Sequence, residues 1–217
     1  VKKWHGINQS AAGFKLFSFV RDNNFGIVIL LAGSTKILQE QSIKRLKSDL
    51  EIRGDRRKWH VEQSPTISDH NSFKNIIESW VDSKKPEHQK KSILIPLLKH
   101  HTHLKKLVKL LKSLNIGDYD LKALIVDDES DQASPNAGIR KNKETPTHKN
   151  ILELKQCFKK CAYIQYTATP QANLLAEKTS LLSPDFSHLI EPGDSYTGGK
   201  CFFDPMNGLV TTIEPVD

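Results

Sequence analysis

Cysteine is scarce in this chain: Cys157, Cys161 and Cys201 are the only three among 217 residues. Three thiols cannot build a disulfide framework, and Cys157 and Cys161, one helical turn apart, have no matching second pair to complete a zinc site. They are expected to be ordinary thiols of a protein in a reducing cytoplasm. Long hydrophobic runs are lacking as well. The longest, residues 27–32, falls far short of the roughly 20 residues that span a bilayer, so no membrane partner is expected, and no signal-peptide pattern is read before it. Neither an internal repeat nor a low-complexity tract is present. Beginning at Val1 rather than Met, the chain reads as part of a longer protein.

What is present suits a core. Hydrophobic residues make up 37% and charged ones 26%, and the length is ample to bury an interior without staples. The 32 Lys and Arg outnumber the 25 Asp and Glu, for a net charge of +7 and a pI near 9.2. That balance suits a polyanionic partner, nucleic acid above all, and equally serves solubility. Arg53, Arg56, Arg57 and Lys58 are the candidates for touching phosphates. They sit in the polar segment 53–69, which Pro65 interrupts and which reads as a surface excursion.

The apolar pattern alternates between helix and strand. Helices are expected over residues 11–21, 36–50, 73–81, 100–114 and 151–158, and strands over 27–31, 92–98, 124–126 and 162–166. The helix at 100–114 turns Leu104, Leu107, Val108, Leu110, Leu111 and Leu114 inward and Lys105, Lys106, Lys109 and Lys112 outward. His100, His101 and His103 at its start have no nearby carboxylate or Cys to complete a ligand set, so no metal is expected there. Residues 134–150, with Pro135, Gly138 and Pro146, are expected to form a mobile loop. Strands alternating with helices indicate an α/β fold with a mainly parallel sheet.

Two strand ends carry chemistry. Leu124-Ile125-Val126 runs straight into Asp127-Asp128-Glu129-Ser130-Asp131, four carboxylates among five residues. An apolar strand buried on both faces suits a parallel sheet, and the carboxyl ends of such strands are where open α/β sheets bind ligands. Asp128 can hold a Mg²⁺ shell through hard oxygens, and Glu129 can orient or deprotonate a water. About 40 residues further on, the strand at 162–166 ends in Thr167-Ala168-Thr169-Pro170, whose hydroxyls can relay a change at a phosphate. Either motif alone could be an ordinary turn.

Together the two strings resemble motifs II and III of the superfamily-two helicase-like ATPases. The longer strings Leu124 to Ser134 and Tyr163 to Asn173 are similar to one branch in particular, the bacterial endonuclease-domain family called "Z one". Residues 27–33, Pro184-Asp185-Phe186 and Tyr196-Thr197-Gly198-Gly199 resemble other parts of that family in the same order. The resemblance implies a RecA-like three-layer sandwich over 1–182, with a mainly parallel central sheet flanked by helices, and an extension over 183–217 leading towards a second lobe. It also implies a nucleic-acid-dependent ATPase of bacterial DNA processing or defence that uses Mg²⁺ and ATP. In that reading Asp128 serves the metal, Glu129 is the general base, and Asp131 with Thr167, Ala168, Thr169 and Pro170 couples hydrolysis to motion. One departure matters. A phosphate loop needs Gly-x-x-x-x-Gly-Lys-Ser/Thr, and this chain has Gly6-Ile7-Asn8-Gln9-Ser10 followed directly by Ala11. Inserting Gly-Lys-Thr after Ser10 would complete the pattern. As it stands, Gly6, Gln9 and Ser10 are the remnants of a loop expected to bind nucleotide poorly. A non-catalytic nucleic-acid-binding or scaffold module and a Mg²⁺-dependent endonuclease are the alternatives.

Overall fold

The computed structural model describes residues 20–21, 23–33, 40, 43–44, 58–132, 145–169 and 182–188. Five strands form one sheet: β1 Phe25–Ala32, β2 Trp59–Val61, β3 Ser92–Leu98, β4 Lys122–Asp127 and β5 Lys160–Gln165, in the order β2-β3-β1-β4-β5. Every pairing is parallel. Between them run α1 His70–Val81, α2 His101–Ser113 and α3 Pro146–Gln156. This is the expected α/β sandwich around a parallel sheet.

Burial explains the strands. In β1 and β3 nearly every side chain is buried on one face or the other, which is why both read as unbroken apolar runs. Ile27, Ile29, Leu31, Ile93, Ile95, Leu97, Ala123 and Ile125 meet the three helices through Phe73, Ile77, Leu104, Leu107, Ile151 and Leu154. Val28, Leu94, Leu124 and Val126 point the other way, into a smaller cluster with Val20 and Trp59. Most of the helices expected over 11–21 and 36–50 lie outside the described residues. Pro96 is at first sight misplaced in an interior strand. Its carbonyl accepts from Ser64 N at 3.2 Å, so its missing N–H faces the same side, where β2 has already ended at Val61.

The helix ends are chemically marked. His100 caps α2, its Nδ1 accepting from Thr102 N at 3.3 Å. Thr145 caps α3 by accepting from His148 N at 3.3 Å, and Pro146 follows in the first turn, where its absent N–H costs nothing. Gly26 has no room for a side chain: a Cβ there would overlap Leu121 Cδ1 and lie 2.8 Å from Trp80 Nε1.

Three expectations are corrected. The segment 53–69 is not only an excursion, because Trp59–Val61 joins the sheet beside Ser92–Leu94. Only three residues long and broken by His60, that strand carries too short a pattern to read. Of the loop expected over 134–150, residues 134–144 lie outside the described residues and the rest is helical from Pro146; that proline starts a helix rather than interrupting a loop. The third correction concerns Asp127, expected among the carboxylates beyond a strand at 124–126: it belongs to β4 and is fully buried.

Candidate functional site

The ends of β1, β3 and β4 are level, with Leu31 beside both Leu97 and Asp127. Along β4, Ala123 and Ile125 face the helices, so the period of two aims Asp127 at the same apolar layer. A carboxylate placed there requires a counter-charge. It comes from Lys99, just beyond β3, whose Nζ reaches past the end of β1 to lie 2.8 Å from Asp127 Oδ1; both side chains are completely buried. Tyr163 of β5 donates its hydroxyl to Asp127 Oδ2 at 2.5 Å. The Lys99 ammonium also donates to the carbonyls of Asp128 at 2.6 Å and Glu129 at 2.7 Å.

That ammonium anchors a tight turn. Asp128 N still bonds Leu31 O at 3.1 Å, then Asp128 Oδ1 accepts from Glu129 N at 3.0 Å. Glu129 adopts φ of 50°, the left-handed region that side chains disfavour. Gln132 N closes the turn on Glu129 O at 2.9 Å. Buried Ser130 ties it to the neighbouring strand end, donating its amide to Tyr166 O at 2.9 Å and its hydroxyl to the same oxygen at 3.1 Å.

The two motif loops meet through Asp131. Thr167 Oγ1 donates to its Oδ1 and Thr169 Oγ1 to its Oδ2, each at 2.7 Å, while Thr167 Oγ1 accepts from Thr169 N at 2.9 Å. Burial pushes the Asp131 carboxyl up, but the two threonine hydroxyls, its own backbone amide and the Lys99 charge act against burial and leave its pKa below the usual carboxylate range. Asp128 goes the other way. Burial raises its pKa, reinforced by the Glu129 and Asp127 charges, against the opposing Glu129 amide and Lys99. Two carboxylates in one turn are thus held in opposite electrostatic settings.

The fit to Mg²⁺ is limited but specific. Among the described residues no group of three or more His, Cys, Asp or Glu is arranged to hold a metal ion. Mg²⁺ with a nucleotide needs no such cage, since one carboxylate, water and phosphate oxygens suffice. Half-buried Asp128 can supply that carboxylate, with Glu129 beside it.

Other candidates are placed differently. Ala168 and Thr169 are exposed beside Asp131. Lys58 is exposed but precedes β2, at the amino-terminal edge of the sheet, opposite the carboxylate turn. A cavity of about 270 Å³, lined by Lys112, Asn115, Gly117, Glu153 and Cys157 among others, also lies at that edge, remote from the turn. Gly6, Gln9, Ser10, Arg53, Arg56, Arg57 and Pro170 lie outside the described residues. Cys161 is inert at neutral pH, its thiol pushed up to about 11 by burial. No helix among the described residues is long and apolar enough to cross a membrane.

Sequence reading missed Lys99, Ser130, Tyr163 and the structural role of Asp127. A lysine directly after seven buried residues was the available signal, because a charge at a buried strand end requires a partner. Comparison with known protein families, curated proteins and solved structures finds no match.

Proposed function

We propose that this chain is the nucleotide-binding lobe of a nucleic-acid-dependent, helicase-like ATPase of bacterial DNA processing or defence. The observation that supports it best is the Asp131 bridge, which locks an acidic turn to a Thr-Ala-Thr loop at the carboxyl ends of adjacent parallel strands. Ligands of open α/β sheets bind at that edge.

Bound Mg²⁺ would neutralise charge on the phosphates. Asp128 would hold it through a carboxylate whose partial burial favours giving up solvent for a cation. Glu129 would orient and deprotonate the attacking water. Asp131, gripped by two hydroxyls, would transmit a shift of one loop to the other. An arginine supplied from a second lobe would complete the charge stabilisation. Nuclease metals need carboxylates converging from separate elements. Here Asp127 is committed to Lys99, so the turn offers fewer acids than its sequence suggests and the endonuclease reading is weaker.

The test uses the chain with Gly-Lys-Thr inserted after Ser10. Mg²⁺-ATP should raise its thermal midpoint by mass action. Asp128→Ala should remove the Mg²⁺-dependent part of that rise, whereas Glu129→Gln should keep it, since a base acts on water and not on ground-state phosphates. Equal responses from the two variants would count against these roles.

A further inference from the structure

We infer that Lys99 is a positioning residue for the Asp128 and Glu129 carboxylates, acting through the backbone of the turn rather than by touching any ligand. The inference rests on the ATPase reading for its purpose, but its geometry stands without it. Two consecutive carbonyls, of Asp128 and Glu129, converge on one buried ammonium at 2.6 and 2.7 Å. Successive carbonyls of an extended strand point to opposite sides, so this convergence requires the chain to turn sharply between them. The turn is made at Glu129, with φ of 50°.

A non-glycine residue persists in that region only where its surroundings over-determine it. Here Lys99 holds the carbonyls of both Asp128 and Glu129, while Asp128 Oδ1 takes the Glu129 amide. With both carbonyls turned inward, the two carboxylates stay half-buried at the surface of the turn. Asp127 fixes the ammonium in turn, and Tyr163 fixes Asp127. A compact ammonium suits two converging carbonyls beside a carboxylate, where a planar guanidinium fork would not.

Removing Lys99 alone would strand a buried carboxylate and could unfold the chain. The informative variant is therefore Lys99→Met with Asp127→Asn, neutral and close in shape, studied in the 217-residue chain. If Lys99 only balances charge, this pair restores the wild-type turn. If it positions the turn, the sheet survives but the turn relaxes. Carbon-13 backbone shifts would then lose the left-handed signature at Glu129. The Gln132 amide, bonded to Glu129 O, would exchange roughly 10-fold faster or more, while amides of β1 and β3 kept their protection. Wild-type shifts at Glu129 together with wild-type exchange at Gln132 would overturn the inference. Failure of the loop-restored chain to bind ATP would leave these readouts untouched, and would count against the ATPase reading alone.

Discussion

Lys99→Met should be among the most damaging single substitutions in this chain. Both partners of the Lys99 and Asp127 pair are completely buried and 2.8 Å apart, so removing the ammonium leaves an uncompensated carboxylate and two carbonyls without their donor. Breaking a buried pair by deleting one partner costs about 3–5 kcal/mol. For a chain of this size each kcal/mol moves the thermal midpoint by about 2–4 °C, so the midpoint should fall by about 6–20 °C. Urea denaturation of wild type, Lys99→Met, Asp127→Asn and the double variant closes a thermodynamic cycle. In the double variant Tyr163 can still donate to the remaining amide oxygen, and no charge is buried. It should therefore recover most of the lost stability, giving a large favourable coupling energy. A Lys99→Met variant within about 1 kcal/mol of wild type, the level of an exposed pair, would refute the burial argument.

Replacing Thr167 and Thr169 by Val should raise the Asp131 pKa towards the ordinary carboxylate range, as followed by carbon-13 titration of the carboxyl. Its depressed folded-state value means that Asp131 stabilises the fold above the unfolded-state pKa and loses that contribution as pH falls through the folded-state one. The wild-type advantage over the double Val variant should therefore be present at neutral pH and vanish in strong acid. Asp128→Asn should have the opposite sign. Because burial raises the Asp128 pKa, its charge disfavours the metal-free fold at neutral pH, so the variant should melt higher in EDTA at pH 7. That gain should disappear as pH falls through the raised folded-state pKa towards the unfolded one; a variant that melts lower at pH 7 would contradict this. Gly26→Ala, forced against Leu121 and Trp80, should cost about 1–3 kcal/mol by overpacking, read from the urea midpoint.

The positions of four strands along the chain and the main apolar faces were legible because β1, β3 and α2 are long and nearly all buried or cleanly two-faced. The grouping of Asp131 with Thr167 and Thr169 comes from the family resemblance rather than from the apolar pattern, and the hydrogen bonds that join them are what the structure adds. β2 was not legible, since three residues with one polar member carry no period. Nor was the fate of Asp127. Four acids in five residues look alike in sequence, and only the alternation of β4 separates the one aimed into the helix layer from those that turn out of it. Lys99 was hidden by its type, because lysine at a strand end usually faces water, and its burial follows only from a carboxylate on a strand two places away in the sheet.

The central claim is that the acidic turn and the threonine loop serve a nucleotide, and that the missing Gly-Lys-Thr is what this chain lacks to bind one. Titration calorimetry of Mg²⁺-ATP into the folded chain, with and without Gly-Lys-Thr inserted after Ser10, tests it most directly. The account predicts Mg²⁺-dependent binding with the insertion and little without it. A folded, loop-restored chain that takes up no Mg²⁺-ATP at about millimolar nucleotide, where even weak sites fill, would contradict it and leave the scaffold reading in its place.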